Sequence, residues 1–367
     1  MSHSSRPRLL PVVASTLAAI AVLGTGCECI TCDEPDEEVV VAQEPWRDSV
    51  AVFRARILGL LATPSELYVA TENEFVRLST GDDTAFATIE RRPLVRRYAN
   101  LGQPALSELI FARGLRDIGS GEESVQFSLI QNAGATREIP VDSLTDVPVT
   151  LAFGGQVVGA FNRTGTVYLQ PVYRRDTRRV ALLRFEIAYD PTFTELESLR
   201  FTGLVDLPNV QEIDRAVSTI KYLDGRFYVA TKAGAYTVEN NGRVERIIAP
   251  SASIRDIFRY EGTYYATQST DGPLFVSQEG RSWTPSGIVS DFRLVNAIGG
   301  RLVTQELEGW QWRVAEDIDE PASQLRLNED FPRQNDQYFA LARLGDRYYM
   351  SIDRQIVQAE ELMPVEP

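Results

Sequence analysis

The sequence predicts an all-β domain, a β-propeller of four-stranded blades, behind a secretory leader that ends at Cys27. Three observations carry this reading. An apolar run stops just before a cysteine, helical periodicity is nearly absent, and a hairpin unit returns at intervals of about 40 residues.

The leader comes first. Residues 1–8 are polar with Arg6 and Arg8, and residues 9–23 are apolar, the n-region and h-region of a signal peptide. Interrupted by Pro11, the apolar run is short of the roughly 20 residues a membrane-spanning helix needs. It ends in Leu23-Gly24-Thr25-Gly26-Cys27. This segment resembles a bacterial lipobox, in which small residues precede a cysteine that is diacylated and becomes the new N-terminus. Gly24 stands where the lipobox usually has leucine, and Leu23 lies one place early. The resemblance implies that residues 1–26 are a signal peptide, that Cys27 carries lipid, and that the protein is held to a bacterial outer membrane. An ordinary signal peptide followed by a free thiol is the alternative.

Residues 27–45 read as a solvated tether. Glu28, Asp33, Glu34, Asp36, Glu37 and Glu38 surround Pro35 in a stretch too polar to pack. Acids close behind the lipidated cysteine resemble the surface-export signals of Bacteroidota lipoproteins. With Cys27 lipidated, Cys29 and Cys32 remain as a C-x-x-C pair in an oxidising compartment. A redox site needs a helix N-terminus and a fold around it, so the pair reads as a local disulfide or as two idle thiols. Two thiols without histidine do not make a zinc site.

The domain over residues 46–367 carries the repeat. Tyr222-Leu223-Asp224-Gly225-Arg226-Phe227-Tyr228-Val229-Ala230-Thr231 reads as a strand end, a two-residue turn and a second strand. The design returns at 260–265, 298–303 and 344–349, with earlier copies at 65–71 and, more loosely, 153–158. Tyr-Val-Ala-Thr is identical at 68–71 and 228–231. A third strand follows the hairpin at 235–238 and 273–276. A repeat of this length with several strands per unit fits a propeller better than a sandwich, whose strands need not recur in sequence. Seven blades between about 50 and 362 are expected, with six as the alternative. Residues 38–42, with three valines, are expected to close the ring against the last blade.

Residues 276–283, Val-Ser-Gln-Glu-Gly-Arg-Ser-Trp, resemble the Asp-box of sialidase-like (BNR) propellers. Ser277, Glu279, Gly280 and Trp283 follow its pattern, with Glu for Asp and one residue missing. The resemblance covers only residues 216–289. In that family the box ties the turn between third and fourth strands to the blade, so it implies fold and no catalytic residue. Asn240-Asn241-Gly242-Arg243 occupies the equivalent place one unit earlier.

Composition narrows function. The formal net charge is −14, and −16 without residues 1–26. Such a surface repels phosphate backbones, so nucleic acid is not an expected partner. Lysine occurs only at Lys221 and Lys232 against 35 arginines, a bias read as GC-rich coding or as adaptation to high salt. The one histidine, His3, lies in the leader, so the mature chain has no imidazole for a Ser-His-Asp triad, a Cys-His pair or a metal.

No catalytic residue, metal site or cofactor is assigned. Asp82-Asp83 and Glu122-Glu123 are adjacent in sequence, whereas glycosidase carboxylates face each other across a bond roughly 5–10 Å apart. Arg174, Arg175, Arg178 and Arg179 read as a solvated loop, and Asn162-Arg163-Thr164 as a chance glycosylation match. Trp310 and Trp312 flank Gln311 in a strand pattern that would put both indoles on one face. They are candidates for stacking on a sugar or a partner's apolar side chain, or else fill a gap between blades. The expected function is a membrane-anchored, non-catalytic binding platform for an envelope protein or glycan. Two alternatives stand: a carbohydrate-active enzyme, a glycosidase or lyase using carboxylates and tyrosines, and a scaffold subunit of an envelope assembly complex.

Overall fold

The computed structural model describes residues 46–54, 57–62, 66–71, 74–79, 87–91, 95–102, 109–116, 123–130, 136–138, 141–142, 149–151, 159–192, 196–211, 217–270, 272–290, 292–298, 301–306, 312–315, 317–318, 323–324, 341–352 and 354–362. Cys27, Cys29, Cys32, Trp310, Asp82, Asp83, Glu122 and the loose repeat copy at 153–158 lie outside them. Every described strand lies in the compact unit Glu44–Pro367.

The described strands of this unit fall into seven sheets. In chain order, the first runs from Ile57–Ala62 through Ala87–Arg91 and the second from Val95–Gly102 through Thr136–Glu138. The fourth runs from Val217–Leu223 through Val244–Ile248, the fifth from Ile254–Tyr260 through Thr284–Ser290, and the sixth from Phe292–Ile298 through Ser323–Gln324. Each is a four-stranded antiparallel meander. The third departs from the expected four: the 16-residue strand Leu196–Gln211 pairs along one edge with Arg179–Tyr189 and, at Leu199 and Arg200, along its other edge in parallel with Val141–Asp142. Its six strands also include the short Ala160–Phe161.

The repeated turn is what the sequence requires. Leu223 pairs with Arg226 around Asp224 (φ 45°) and Gly225 (φ 89°), and Tyr260 pairs with Thr263 around Glu261 (φ 45°) and Gly262 (φ 86°). Two successive positive φ angles give the twist that joins adjacent strands without splaying them. Tyr68-Val69-Ala70-Thr71 and Tyr228-Val229-Ala230-Thr231 lie in the second strands of their sheets, and Thr71 and Thr231 face the first residues of the first strands, Ile57 and Val217. Near that end a one-residue register slip recurs in five sheets, between Ile57 and Gly59, Val95 and Arg97, Val217 and Thr219, Ile254 and Asp256, and Phe292 and Leu294. Such bulges sharpen the local twist.

Neighbouring sheets bury their apolar faces on one another around a closed circle. Phe127 of the second packs with Tyr168 and Phe185 of the third, the Phe127–Phe185 ring centroids 5.0 Å apart. Leu182 and Val205 of the third meet Phe227 and Tyr236 of the fourth. Tyr228 meets Ile257 and Tyr264 of the fifth, and Phe258 meets Leu302 of the sixth. Val303 and Val314 of the sixth pack on Met350 and Val357 of the seventh, whose Tyr349 and Ile356 in turn pack on Ile57 and Val69 of the first. First strands of the first and second sheets touch and complete the circle. Fully burying one such large side chain stabilises by about 1.5–3 kcal/mol.

The seventh sheet joins the two ends of the domain. Leu341–Leu344, Arg347–Ile352 and Gln355–Ala359 are completed by Arg47–Val52, which pairs antiparallel with Gln355–Ala359. The strand that closes the ring is thus Arg47–Val52 rather than residues 38–42, which lie outside the described residues. The reason is the anchor on which the strand starts: Trp46 is 2% exposed and packs with Met350 and Leu362, while Val50 and Ala51 lie on the first-sheet cluster.

One ion pair joins the inner strands of adjacent sheets. Lys221 Nζ of the fourth sheet lies 2.7 Å from Asp256 Oδ1 of the fifth, and Asp256 is only 2% exposed. Removing the cation takes one favourable charge from a buried carboxylate. Lys221→Met should lower unfolding stability by about 3 kcal/mol in denaturant titrations, and adding Asp256→Leu should restore most of that loss.

Candidate functional site

The Asp224–Gly225 turn is fixed from the neighbouring sheet. Asp224 Oδ1 accepts a hydrogen bond from Arg259 Nη1 at 3.0 Å, and its other oxygen accepts one from the Tyr264 hydroxyl. The Arg259 guanidinium sits 5.5 Å from the Tyr264 ring centroid, within cation–π range. The fourth and fifth sheets are therefore locked together at the end where their hairpin turns gather.

Two further turns reach the same end. The turn at 239–243 joins the third and fourth strands of the fourth sheet. It is closed by Gly242 N–H to Glu239 O at 2.8 Å and by Arg243 N–H to Asn241 Oδ1 at 2.8 Å. Arg184 of the third sheet donates to Asn240 O at 2.7 Å and pins it from the far side. The turn at 278–283 occupies the same place in the fifth sheet. There the Gly280 N–H donates to Ser277 Oγ at 2.9 Å, and the Trp283 ring meets Tyr264 edge-on. Gly280 has φ 71°, and a Cβ at this position would come 2.0 Å from the Tyr228 hydroxyl, so a side chain has neither the backbone nor the room.

Between these turns lies a cleft of about 350 Å³, within the range of small-molecule sites. Arg226, Glu239, Asn241 and Glu245 of the fourth sheet face Arg281 of the fifth across it, over a floor that includes buried Thr237. Every lining side chain is polar. Beneath the Arg281 side, the Tyr228 hydroxyl and Trp283 Nε1 are buried without a hydrogen bond among the described residues. Burial, the largest influence on the Tyr228 phenol, raises its pKa.

The sequence singled out both turns, at 240–243 and at 276–283, but not the cleft they frame. Arg226 and Arg281 stand inside the repeated hairpin and the Asp-box-like segment without a role in either pattern, and Glu239 and Glu245 belong to no motif; only the side-by-side placement of two repeats joins them. Trp312, the first residue of the strand Trp312–Ala315, stands opposite Gln305 in the sixth sheet, so it belongs to a different part of the ring. The arginine cluster forms the tip of the hairpin between Val167–Arg174 and Arg179–Tyr189. Arg175, Arg178 and Arg179 are exposed there, and Arg174 pairs with Asp176 at 2.7 Å and Asp206 at 3.3 Å. Asn162 is committed to its own turn, its Oδ1 accepting from Thr166 N–H at 2.8 Å and Val167 N–H at 3.0 Å. Among the described residues no group of acids, cysteines or histidines could hold a metal.

Several tyrosines share one electrostatic property. Burial raises the phenol pKa of Tyr168, Tyr228 and Tyr236, and burial reinforced by a carboxylate acceptor does so for Tyr68 beside Glu66 and Tyr264 beside Asp224. Below about pH 10 both folded and unfolded chains keep these protons, so the full stability is present. Above it the unfolded chain loses protons that the folded chain retains, and stability falls. Unfolding free energy should be flat toward neutral pH and decline from about pH 10 upward. Ultraviolet phenolate absorbance of the native protein should lag that of the unfolded chain.

No protein-family model and no curated protein matches this chain. Solved structures do. The extracellular domain assigned to a hybrid two component system, BT3049 from B. thetaiotaomicron, aligns with a TM-score of 0.52 at 13% identity, over 84% of this chain and 40% of that one. That assigned to a second system of the same organism, BT4673, aligns with a TM-score of 0.51 at 10% identity, over 86% of this chain and 40% of that one. This chain thus spans two fifths of the length of each. Such low identity reports fold alone: the chain is an all-β protein of the β-propeller class.

Proposed function

We propose that this chain is a lipid-anchored bacterial envelope protein whose seven-bladed propeller binds a protein or a glycan without transforming it. The observation that carries the reading is the polar cleft between the fourth and fifth sheets. It is framed by turns that are each held by hydrogen bonds, so its geometry exists before a ligand arrives, and preorganisation of this kind favours binding.

The anchor rests on the lipobox resemblance. A diacylglycerol on Cys27 supplies two chains, enough for stable attachment. The strand Arg47–Val52 begins at the hairpin-turn end of the seventh sheet, the counterpart of the end at which the cleft opens on the fourth and fifth. The likeness to Asp-box propellers is supported by the place of the 278–283 turn between third and fourth strands, and by the Ser277–Gly280 hydrogen bond that holds it.

In cell fractionation the wild-type protein should sediment with membranes and take up labelled acyl chains, and Cys27→Ala should become soluble and unlabelled. A Cys27→Ala protein that stays with the membrane overturns the anchor. The platform is tested separately, by titrating the purified domain against envelope proteins and glycans. Binding without turnover is expected, and release of a product overturns the non-catalytic reading.

A further inference from the structure

The lining of the cleft narrows its ligand, on the reading just given that the propeller is a binding platform. Arg226 and Arg281 supply positive charge and Glu239 and Glu245 negative charge, so the formal charge of the lining balances. Among the described residues Arg226, Arg281 and Glu245 take part in no ion pair, and Asn241 adds an amide that both donates and accepts. Hydrogen-bonding capacity of both kinds thus faces the cleft.

Three ligand classes can be weighed against this lining. An anion would gain from the two guanidiniums but face two carboxylates and the field of a chain with net charge −14. A peptide anchored by apolar side chains would find no apolar wall, since every lining side chain is polar. A neutral polyhydroxylated chain meets neither obstacle. Each hydroxyl can donate to a carboxylate and accept from a guanidinium or amide, and no net charge is desolvated.

We infer that the cleft between the fourth and fifth sheets binds neutral oligosaccharide. Glu239 and Glu245 accept from sugar hydroxyls, Arg226 and Arg281 donate to them, and the open cleft admits a segment of a longer chain.

Isothermal titration of the full-length protein in detergent with maltohexaose, cellohexaose, xylohexaose and mannohexaose, and with trigalacturonate as the anionic comparison, tests this. At least one neutral probe should bind. Arg281→Ala and Glu245→Ala, both exposed and outside the core, should keep the wild-type melting temperature and weaken that binding about tenfold each. Arg179→Ala, on the hairpin of the third sheet, should leave it unchanged. The inference falls if no neutral probe binds at about 5 mM, if trigalacturonate binds better than all of them, or if the two cleft variants bind like wild type. In the last case the platform stands and its site lies elsewhere. The platform falls with the inference only when the envelope proteins also fail to bind.

Discussion

Ring closure is the constraint on which the rest depends. A four-stranded sheet has two faces and cannot hide either alone, so each sheet here must be covered by the next. The circle holds only if the last sheet covers the first. That junction is made of both ends of the domain: Arg47–Val52 hydrogen-bonds to Gln355–Ala359, Trp46 seals the packing against the sixth sheet, and Tyr349 and Ile356 cover Ile57. Closure by pairing early chain with late chain makes the domain depend on long-range contacts, which form slowly because the loop must close before the contacts reward it.

Closure also dictates where variation is permitted. Faces between sheets are committed to packing, as at Tyr168, Tyr228 and Tyr236, each fully buried. The turns at the ends of the strands face solvent and are free to differ. Even so they are not loose: Asp224 is held by Arg259 and Tyr264, Asn240 by Arg184, and Gly280 by Ser277. A binding surface on such turns inherits the rigidity of the ring while its side chains remain available.

How much of this was legible in the sequence depends on the range of each signal. The hairpins were legible because their cause is local: Asp224-Gly225 and Glu261-Gly262 supply the positive φ angles that a two-residue turn needs. The 276–283 turn was legible for the same reason, since Ser277 and Gly280 make its hydrogen bond within three residues. The closing strand was expected too early because Val39-Val40-Val41 and Val50-Ala51-Val52 have the same strand character, and the buried Trp46 that anchors the second carries no such signal along the chain. The cleft was illegible because Glu245 and Arg281 have no relation along the chain. They meet because two copies of one repeat stand side by side.

The same reasoning bears on why three charged residues of the cleft, Arg226, Glu245 and Arg281, stand outside any ion pair among the described residues while charges elsewhere are paired. Lys221 and Asp256 neutralise each other where the fourth and fifth sheets press together, and Arg174 is satisfied by Asp176 and Asp206 at the tip of the third. Both pairs serve the fold, since an uncompensated charge there would weaken packing or a turn. Arg226, Glu245 and Arg281 serve no such purpose: each stands at a turn or on an outer strand, where water can solvate it. Folding alone would be as well served by any polar residue at these places. A balanced set of donors and acceptors, facing one another over a rigid floor, is an arrangement that stability does not require and that the proposed ligand binding would use.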